Sequence, residues 1–196
     1  NRSMKVRVPF TRDAQQVSSI LDAVASESGL GIAARSERKQ FEERIREANS
    51  YEEAISTART FASSVEHDLR QGVSSVNALM STLAGVEGKK ILVLTSEGFP
   101  MQPGREIFAF VDDIAREKNW SQVASSTFEG MHFDGTQLIQ SVAKTANAND
   151  ITLYTIHAAG LSGSNDMSAE NARPTSAMVS HAAMTNTTES MQMMAQ

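Results

Sequence analysis

Side chains able to do chemistry are few in this chain, and their spacing does not match that of catalytic or metal sites. Cysteine is absent from the 196 residues, which excludes disulfides, thiol catalysis and cysteine-ligated zinc or iron–sulfur centres. No two histidines are three or four residues apart, so no pair shares a helical face as metal ligands would. The four are His67, His132, His157 and His181. The neighbouring Asp112 and Asp113 lack a paired carboxylate, and we interpret them as a solvated helix face.

Glycine-containing strings that could hold a phosphate are also incomplete. The segment Gly29-Leu30-Gly31 lacks the third glycine of a dinucleotide fingerprint and does not follow a predicted strand. Gly88 and the two lysines after it precede a predicted strand, whereas phosphate-binding loops follow one. No serine lies in a Gly-x-Ser-x-Gly elbow. The sequence therefore predicts no catalytic residue and no cofactor.

Composition limits the function classes further. The net charge is −5, and no long basic run is present, which does not favour a nucleic-acid partner. No apolar run approaches the 18 residues of a membrane span. Apolar residues make up 40% of the chain and aromatic residues 6%, which predicts an aliphatic, alanine-rich core of ordinary size.

Two strongly apolar runs must supply the sheet that positions any site. Residues 91–94 are continuously apolar and are closed by a small-residue turn, and residues 151–157 form a second such run. Runs of this type are typical of parallel strands covered by helices. Helices are predicted between them at about 105–118 and from a capping pair, Asp134 and Gln137, to about Ala146. This order predicts right-handed crossovers and an α/β fold with a doubly wound, mostly parallel sheet.

The first fifty residues predict an edge strand and two helices. Residues 4–10 alternate apolar and polar side chains, and Pro9 fits an edge position. A helix to about Ala25 follows, and its apolar stripe is Val17, Ile20, Leu21 and Val24. Residues 26–32 are predicted to be a loop, and a highly charged helix begins at about Ser36.

A long helix over residues 51–83 is predicted from apolar residues at steps of three and four. Ser50 and Glu53 form a capping box at its start. With the charged helix it predicts a helical hairpin, an insertion at about 34–84 that projects in part from the body. Its apolar stripe fits either packing within the chain or a coiled contact with a partner.

We expect three parts along the chain: an α/β domain over residues 1–160, a flexible Ser/Asn/Thr/Ala/Met-rich loop over 161–187, and the start of a final helix over 188–196. Met191, Met193 and Met194 would form one buried face of that helix. The chain starts at Asn1 without a signal-type segment, and we interpret it as a mature or truncated piece.

Three strings resemble a known family in the right order. GKKILVLTSEGFP at residues 88–100 resembles a strand and loop of von Willebrand factor A-type domains, and is most similar to a bacterial, VWFA-related branch. VRVPFTRD at 6–13 is similar to a stretch before an early helix of that branch, and ANDITLYTIHAAGL at 148–161 to its penultimate strand region. The resemblance implies a doubly wound α/β fold and a bacterial protein exported or anchored outside the cytoplasm.

The metal site of that family is incomplete in this chain. The resemblance implies cation ligands from an Asp-x-Ser-x-Ser string and from a Gly-Gly-Thr context, and neither is present. At the third position Ser96 and Glu97 stand where the family has an Asp. A Mg²⁺ shell needs near-octahedral oxygen ligands at about 2.1 Å, so a divalent cation would require residues upstream of this sequence to complete the site.

These observations favour a non-enzymatic protein-interaction module with an incomplete metal-dependent adhesion site. The expected contact residues lie at the carboxyl end of the sheet, where ligands of open α/β sheets bind. They are Thr95, Ser96, Glu97 and Phe99. A second surface is the helical arm over residues 36–72. The alternatives are a small-molecule-binding or enzymatic domain with its site at the same sheet edge, and a fragment with no function by itself.

Overall fold

A computed structural model describes residues 6–8, 10–26, 29–120, 126–157 and 177–194, and over these the chain is an α/β protein that is mostly helical. Two strands lie side by side, and helices pack against one face of the pair. The elements in chain order are α1 (Ala14–Ser26), α2 (Gly29–Glu47), α3 (Tyr51–Thr82), β1 (Lys90–Ser96), α4 (Arg105–Glu117), α5 (Ser126–Gly130), α6 (Thr136–Ala148), β2 (Ile151–His157) and α7 (Ala177–Met194).

The sheet is a parallel pair of β1 and β2, as the two apolar runs predict. Leu92 is paired with Leu153 and Val93 with Tyr154, and the connection between the strands runs through α4, α5 and α6. The predicted edge strand over residues 4–10 is wrong for residues 6–8 and 10, which lie in no strand. Residues 4, 5 and 9 lie outside the described part. The described sheet therefore has two strands, and a larger doubly wound sheet stays a prediction.

Helix α3 begins where the capping box predicts. The Ser50 hydroxyl accepts a hydrogen bond from the Glu53 amide at 3.3 Å, and the Glu53 carboxylate accepts one from the Asn49 amide at 2.8 Å. These bonds satisfy amide groups near the helix start that have no partner within the helix. The helix runs 32 residues, about 48 Å at 1.5 Å per residue, and is long enough to contribute to two separate cores.

The first core joins α2, the amino-terminal half of α3, and α4. It is aliphatic and aromatic, and the Phe41 and Phe61 rings lie 5.2 Å apart between α2 and α3. Ile45 of α2 and Ile55 of α3 are buried in it. The predicted projecting arm is therefore wrong: α2 and α3 are an integral part of the core, because their thin apolar stripes face each other and α4.

The second core lies between the sheet and the helices on its covered face. Leu69, Val73 and Met80 of α3 meet Ile139 and Val142 of α6 there. The partly buried Leu92, Leu94 and Leu153 of the sheet pack against this cluster, as do the methionines of α7. Met191 and Met194 are buried as the sequence predicts, and Met193 is partly buried.

Three helix boundaries differ from the sequence-based expectation. Residues 29–32 are helical as the start of α2, and residues 126–130, predicted to be irregular, form α5. The expected loop over 161–187 is wrong for residues 177–187, which belong to α7. Residues 158–176 lie outside the described part. Helix α7 contains few branched aliphatics, but a buried Val179 and side-chain hydrogen bonds from Asn186 and Ser190 fix it.

Candidate functional site: the open face of the sheet

Strand alternation divides the sheet into a covered face and an open face. The side chains of Ile91, Val93, Tyr154 and Ile156 point away from the helices, and the four residues are 59%, 54%, 55% and 52% exposed. Neighbouring residues on each strand point to opposite faces, so an apolar run of four must place two side chains on each. The helices in the described part cover one of these faces, which leaves the other in contact with solvent.

The register groups the exposed side chains into one patch. Val93 lies directly beside Tyr154, and Thr95 lies beside Ile156. Side chains on the same face of paired neighbouring strands are in reach of each other. The open face, defined here as Ile91, Val93, Thr95, Thr152, Tyr154 and Ile156, is thus a continuous surface with a threonine at each end.

The four predicted contact residues divide between the two sides of the sheet. Thr95 and Glu97 are exposed, whereas Ser96 and Phe99 are partly buried. The Ser96 hydroxyl accepts a hydrogen bond from the Gly98 amide at 3.1 Å. Phe99 packs beside Gly72 of α3, where an added Cβ would lie 3.1 Å from the phenyl ring. The predicted set therefore differs in exposure, and its role as a contact surface stays a prediction.

Helix α7 covers the loop that follows β1. The Asn186 side chain accepts a hydrogen bond from the Gln102 amide and donates one to the Gln102 carbonyl oxygen, both at 2.7 Å. The Ser190 hydroxyl accepts a bond from the Phe99 amide at 3.1 Å. Gly98 has φ +99°, and a Cβ there would lie 2.6 Å from the Thr187 carbonyl oxygen. Side chains of α7 thus occupy the amides of Phe99 and Gln102 and the Gln102 carbonyl oxygen at this edge.

Ionisable groups do not assemble a metal shell in the described part of the chain, where no three of the His, Asp and Glu side chains come together as ligands. His67 and His132 are exposed on separate elements. Glu97 belongs to no such cluster there, and the Ser96 hydroxyl accepts a hydrogen bond from the Gly98 amide.

The interpretation of Asp112 and Asp113 as a solvated face is wrong for Asp112. Its carboxylate accepts hydrogen bonds from the Ser126 amide at 2.9 Å and the Ser126 hydroxyl at 2.7 Å. Ser126 is fully buried at the start of α5. Asp112 thus fixes α5 on α4, while Asp113 forms an ion pair with Arg116 on the same helix. The role of Asp112 is structural.

One carboxyl group is perturbed by its surroundings at the contact of α2 with α4. Burial raises the pKa of Glu106, against a backbone hydrogen bond and the nearby Arg38, which lower it, while Glu42 raises it further. Arg38 Nε also donates a hydrogen bond to the Glu42 carboxylate at 3.0 Å, so both charged groups lie close to Glu106. A polar residue in an amphipathic helix gave no signal of this in the sequence.

Helix α1 presents a second uncovered apolar surface. Val17, Leu21 and Val24 of its predicted stripe are 44%, 63% and 47% exposed. The Asp13 carboxylate accepts a hydrogen bond from the Gln15 amide at 2.9 Å, so the helix start is capped. The apolar stripe that the sequence predicts for this helix is therefore largely in contact with solvent.

Comparisons of this chain with models of protein families, with curated proteins and with solved structures gave no match. Within the described residues, no helix combines the length and the apolar character needed to cross a bilayer.

Proposed function

We propose that the chain is a protein-interaction module that binds a protein through the open face of its sheet. A single observation carries this proposal: Ile91, Val93, Tyr154 and Ile156 are each more than half exposed on one continuous face. Parallel sheets occur almost only with both faces covered. A contiguous exposed apolar patch on a folded domain marks a contact surface.

The chemistry of the open face fits a protein better than a small molecule. It is largely apolar and has no charged side chain between Ile91 and Ile156, and the aromatic Tyr154 lies in its middle. Tyrosine in the middle of an apolar patch is typical of binding hot spots. A small-molecule ligand requires a concave pocket with converging polar groups.

The resemblance to von Willebrand factor A-type domains supports the same class of function. Two of the three similar strings contain β1 and β2, which the resemblance would make neighbours in a doubly wound sheet. We propose a fold of that type with an incomplete metal-dependent adhesion site, so that recognition does not depend on a cation. The alternative, a ligand or enzyme site at the carboxyl edge, has less support because Asn186 and Ser190 bond the loop there.

Photo-crosslinking tests this proposal. A photoreactive amino acid at Val93 should give a covalent adduct with a protein in cells that express the chain. The same residue at the exposed Gln140 of α6, outside the open face, is the matched control. Ile156→Lys should remove the adduct formed at position 93, because it places a charge in the patch. Equal adducts at positions 93 and 140, or no adduct at 93, would contradict the proposal.

A further inference from the structure

Two uncovered apolar surfaces occur on this one chain, and their shapes suit each other. The open face is a strip along two seven-residue strands, about 20 Å long at 3.3 Å per residue. Helix α1 has 13 residues and is also about 20 Å long. A helix packing along a parallel sheet is the usual cover for such a face.

Charges at the ends of the two surfaces favour one orientation. Lys89 is exposed just before β1, and Glu97 is exposed just after it. Helix α1 has the exposed Asp22 near its end. Before its start lie the exposed Arg12 and Asp13, and the Asp13 carboxylate is engaged in capping the amides of the first helical turn. If α1 lies antiparallel to the strands, Asp22 is near Lys89 and Arg12 near Glu97. The parallel orientation would place like charges together, which is unfavourable.

The exposure of both surfaces in one chain indicates which copy supplies the helix. Val17, Leu21 and Val24 of α1 are exposed, and so are the apolar residues of the open face. Helix α1 therefore does not lie on the sheet of its own chain, which favours α1 from a second copy.

The area of the contact also favours a pair of copies. The three exposed stripe residues of α1 and the four apolar residues of the open face each offer on the order of 100 Å². One α1 on one open face would then bury about 700 Å², which is less than a stable interface needs. Two reciprocal contacts would bury about 1,400 Å², within the range of about 1,200–2,000 Å² for specific complexes. A two-fold dimer makes each contact twice.

We infer that two copies of this chain form a symmetric dimer in which α1 of each copy covers the open face of the other. This inference rests on the proposed function, because it identifies the protein partner as a second copy. Leu21 of one copy lies over Val93 and Tyr154 of the other. The dimer removes from water both the open face and the apolar stripe of α1 in each chain.

Light scattering after size-exclusion chromatography tests the inference. At about 1 to 100 µM, wild type should have twice the chain mass of 21.2 kDa. Leu21→Glu and Val93→Lys should each raise the dimer dissociation constant at least about tenfold, because each places a charge in an apolar contact. Ser19→Glu adds the same charge to the opposite side of α1 and should leave the dimer unchanged. Circular dichroism checks that all variants are folded.

Mixing the two weakened variants gives a sharper result. A Leu21→Glu copy and a Val93→Lys copy should form a heterodimer, because the new glutamate meets the new lysine in one contact while the other contact is wild type. If α1 instead covered its own sheet, the mixture would stay monomeric, and the inference would be overturned. A monomeric wild type, or a dimer unaffected by Leu21→Glu, would also overturn it.

The crosslink at position 93 separates this inference from the proposed function. An adduct of twice the chain mass supports both. An adduct of any other mass supports an interaction module but overturns the symmetric dimer. The absence of an adduct at position 93 contradicts both.

Discussion

The two faces of the β1–β2 sheet consist of the same kinds of side chain but have different surroundings. On the covered face, Leu92, Leu94 and Leu153 pack against α3, α6 and α7. On the open face, Ile91 and Tyr154 are more than half exposed. The apolar content of a strand thus shows how much surface must be covered, but it does not show which polypeptide covers it.

The helices show a second difference, between the amphipathic pattern of a helix and the extent to which it is buried. Helix α7 is the least amphipathic of the three helices on the covered face and consists largely of Ala, Ser, Thr, Asn and Met. It still packs over the carboxyl end of the sheet, because Asn186 and Ser190 form hydrogen bonds with the backbone of the loop after β1. Helix α1 has the clearer apolar stripe, and its stripe is exposed. Covering a face depends on specific polar contacts as well as on apolar area.

The largest expected effect comes from truncating one isoleucine on each face of the sheet, both of them in β2. Ile151 is 4% exposed in the second core, and Ile151→Ala should lower the free energy of unfolding by about 2–5 kcal/mol through lost burial and a cavity. Ile156 is 52% exposed, and Ile156→Ala should cost about 1 kcal/mol or less. Urea denaturation monitored by circular dichroism measures both.

These measurements belong at protein concentrations low enough for a dimer to dissociate, so that the open face is compared in the free chain. At higher concentration the cost of Ile156→Ala should grow, since the residue is then covered by α1 of a second copy. Similar losses for the two variants in the dissociated chain would show that the two faces are equally covered.

Local sequence patterns predicted which helices and strands form better than they predicted what packs against these elements. The parallel pairing of 91–94 with 151–157 followed from apolar runs separated by helices, and the start of α3 followed from Ser50 and Glu53. The projecting arm was wrong because the thin stripe around Phe41 gave no measure of how closely α2 packs. The Ser, Asn, Thr, Ala and Met composition of residues 177–187 predicts a loop, and the hydrogen bonds of Asn186 with the distant Gln102 leave no local pattern that would correct it.

The candidate site was only partly accessible to sequence reasoning. Thr95 and Glu97 were expected near the contact surface and are exposed, but Tyr154 and Ile156 were not singled out. Period two in β1 and β2 already divided their side chains between two faces. What the sequence lacked was the number of helical layers, since a continuously apolar strand is expected to be covered on both sides.

A smaller effect is expected from weakening the contact of α7 with the loop at the carboxyl end of β1. Asn186→Ala removes two hydrogen bonds and leaves the Gln102 amide and carbonyl without that partner, which should cost about 2 kcal/mol. Hydrogen exchange should then accelerate at the amides of Phe99 and Gln102. Asn147→Ala on the exposed side of α6 is the matched control, with an expected change within about 0.5 kcal/mol. Unchanged exchange at Phe99 and Gln102 would mean that α7 does not hold this loop.

The smallest expected effect is a pH dependence of stability that comes from the first core and not from either face of the sheet. Burial raises the pKa of Glu106 in the folded chain, so the folded state binds this proton more tightly than the unfolded state does. Its contribution to stability is therefore complete below the unfolded pKa of about 4.3 and is lost as the pH rises through the folded value. Glu106→Gln should reduce this decline in the free energy of unfolding as the pH rises above the ordinary glutamate pKa.

Glu117→Gln, near the exposed end of the same helix, should leave the decline in place. The groups that face Glu106 from α2 are Arg38 and Glu42, and both belong to the first core rather than to the sheet. The dissociation constant of the proposed dimer should therefore be the same for wild type and Glu106→Gln at every pH. If Glu106→Gln changed dimer formation as well as stability, the first core and the open face would be coupled, and the two regions could no longer be treated as independent.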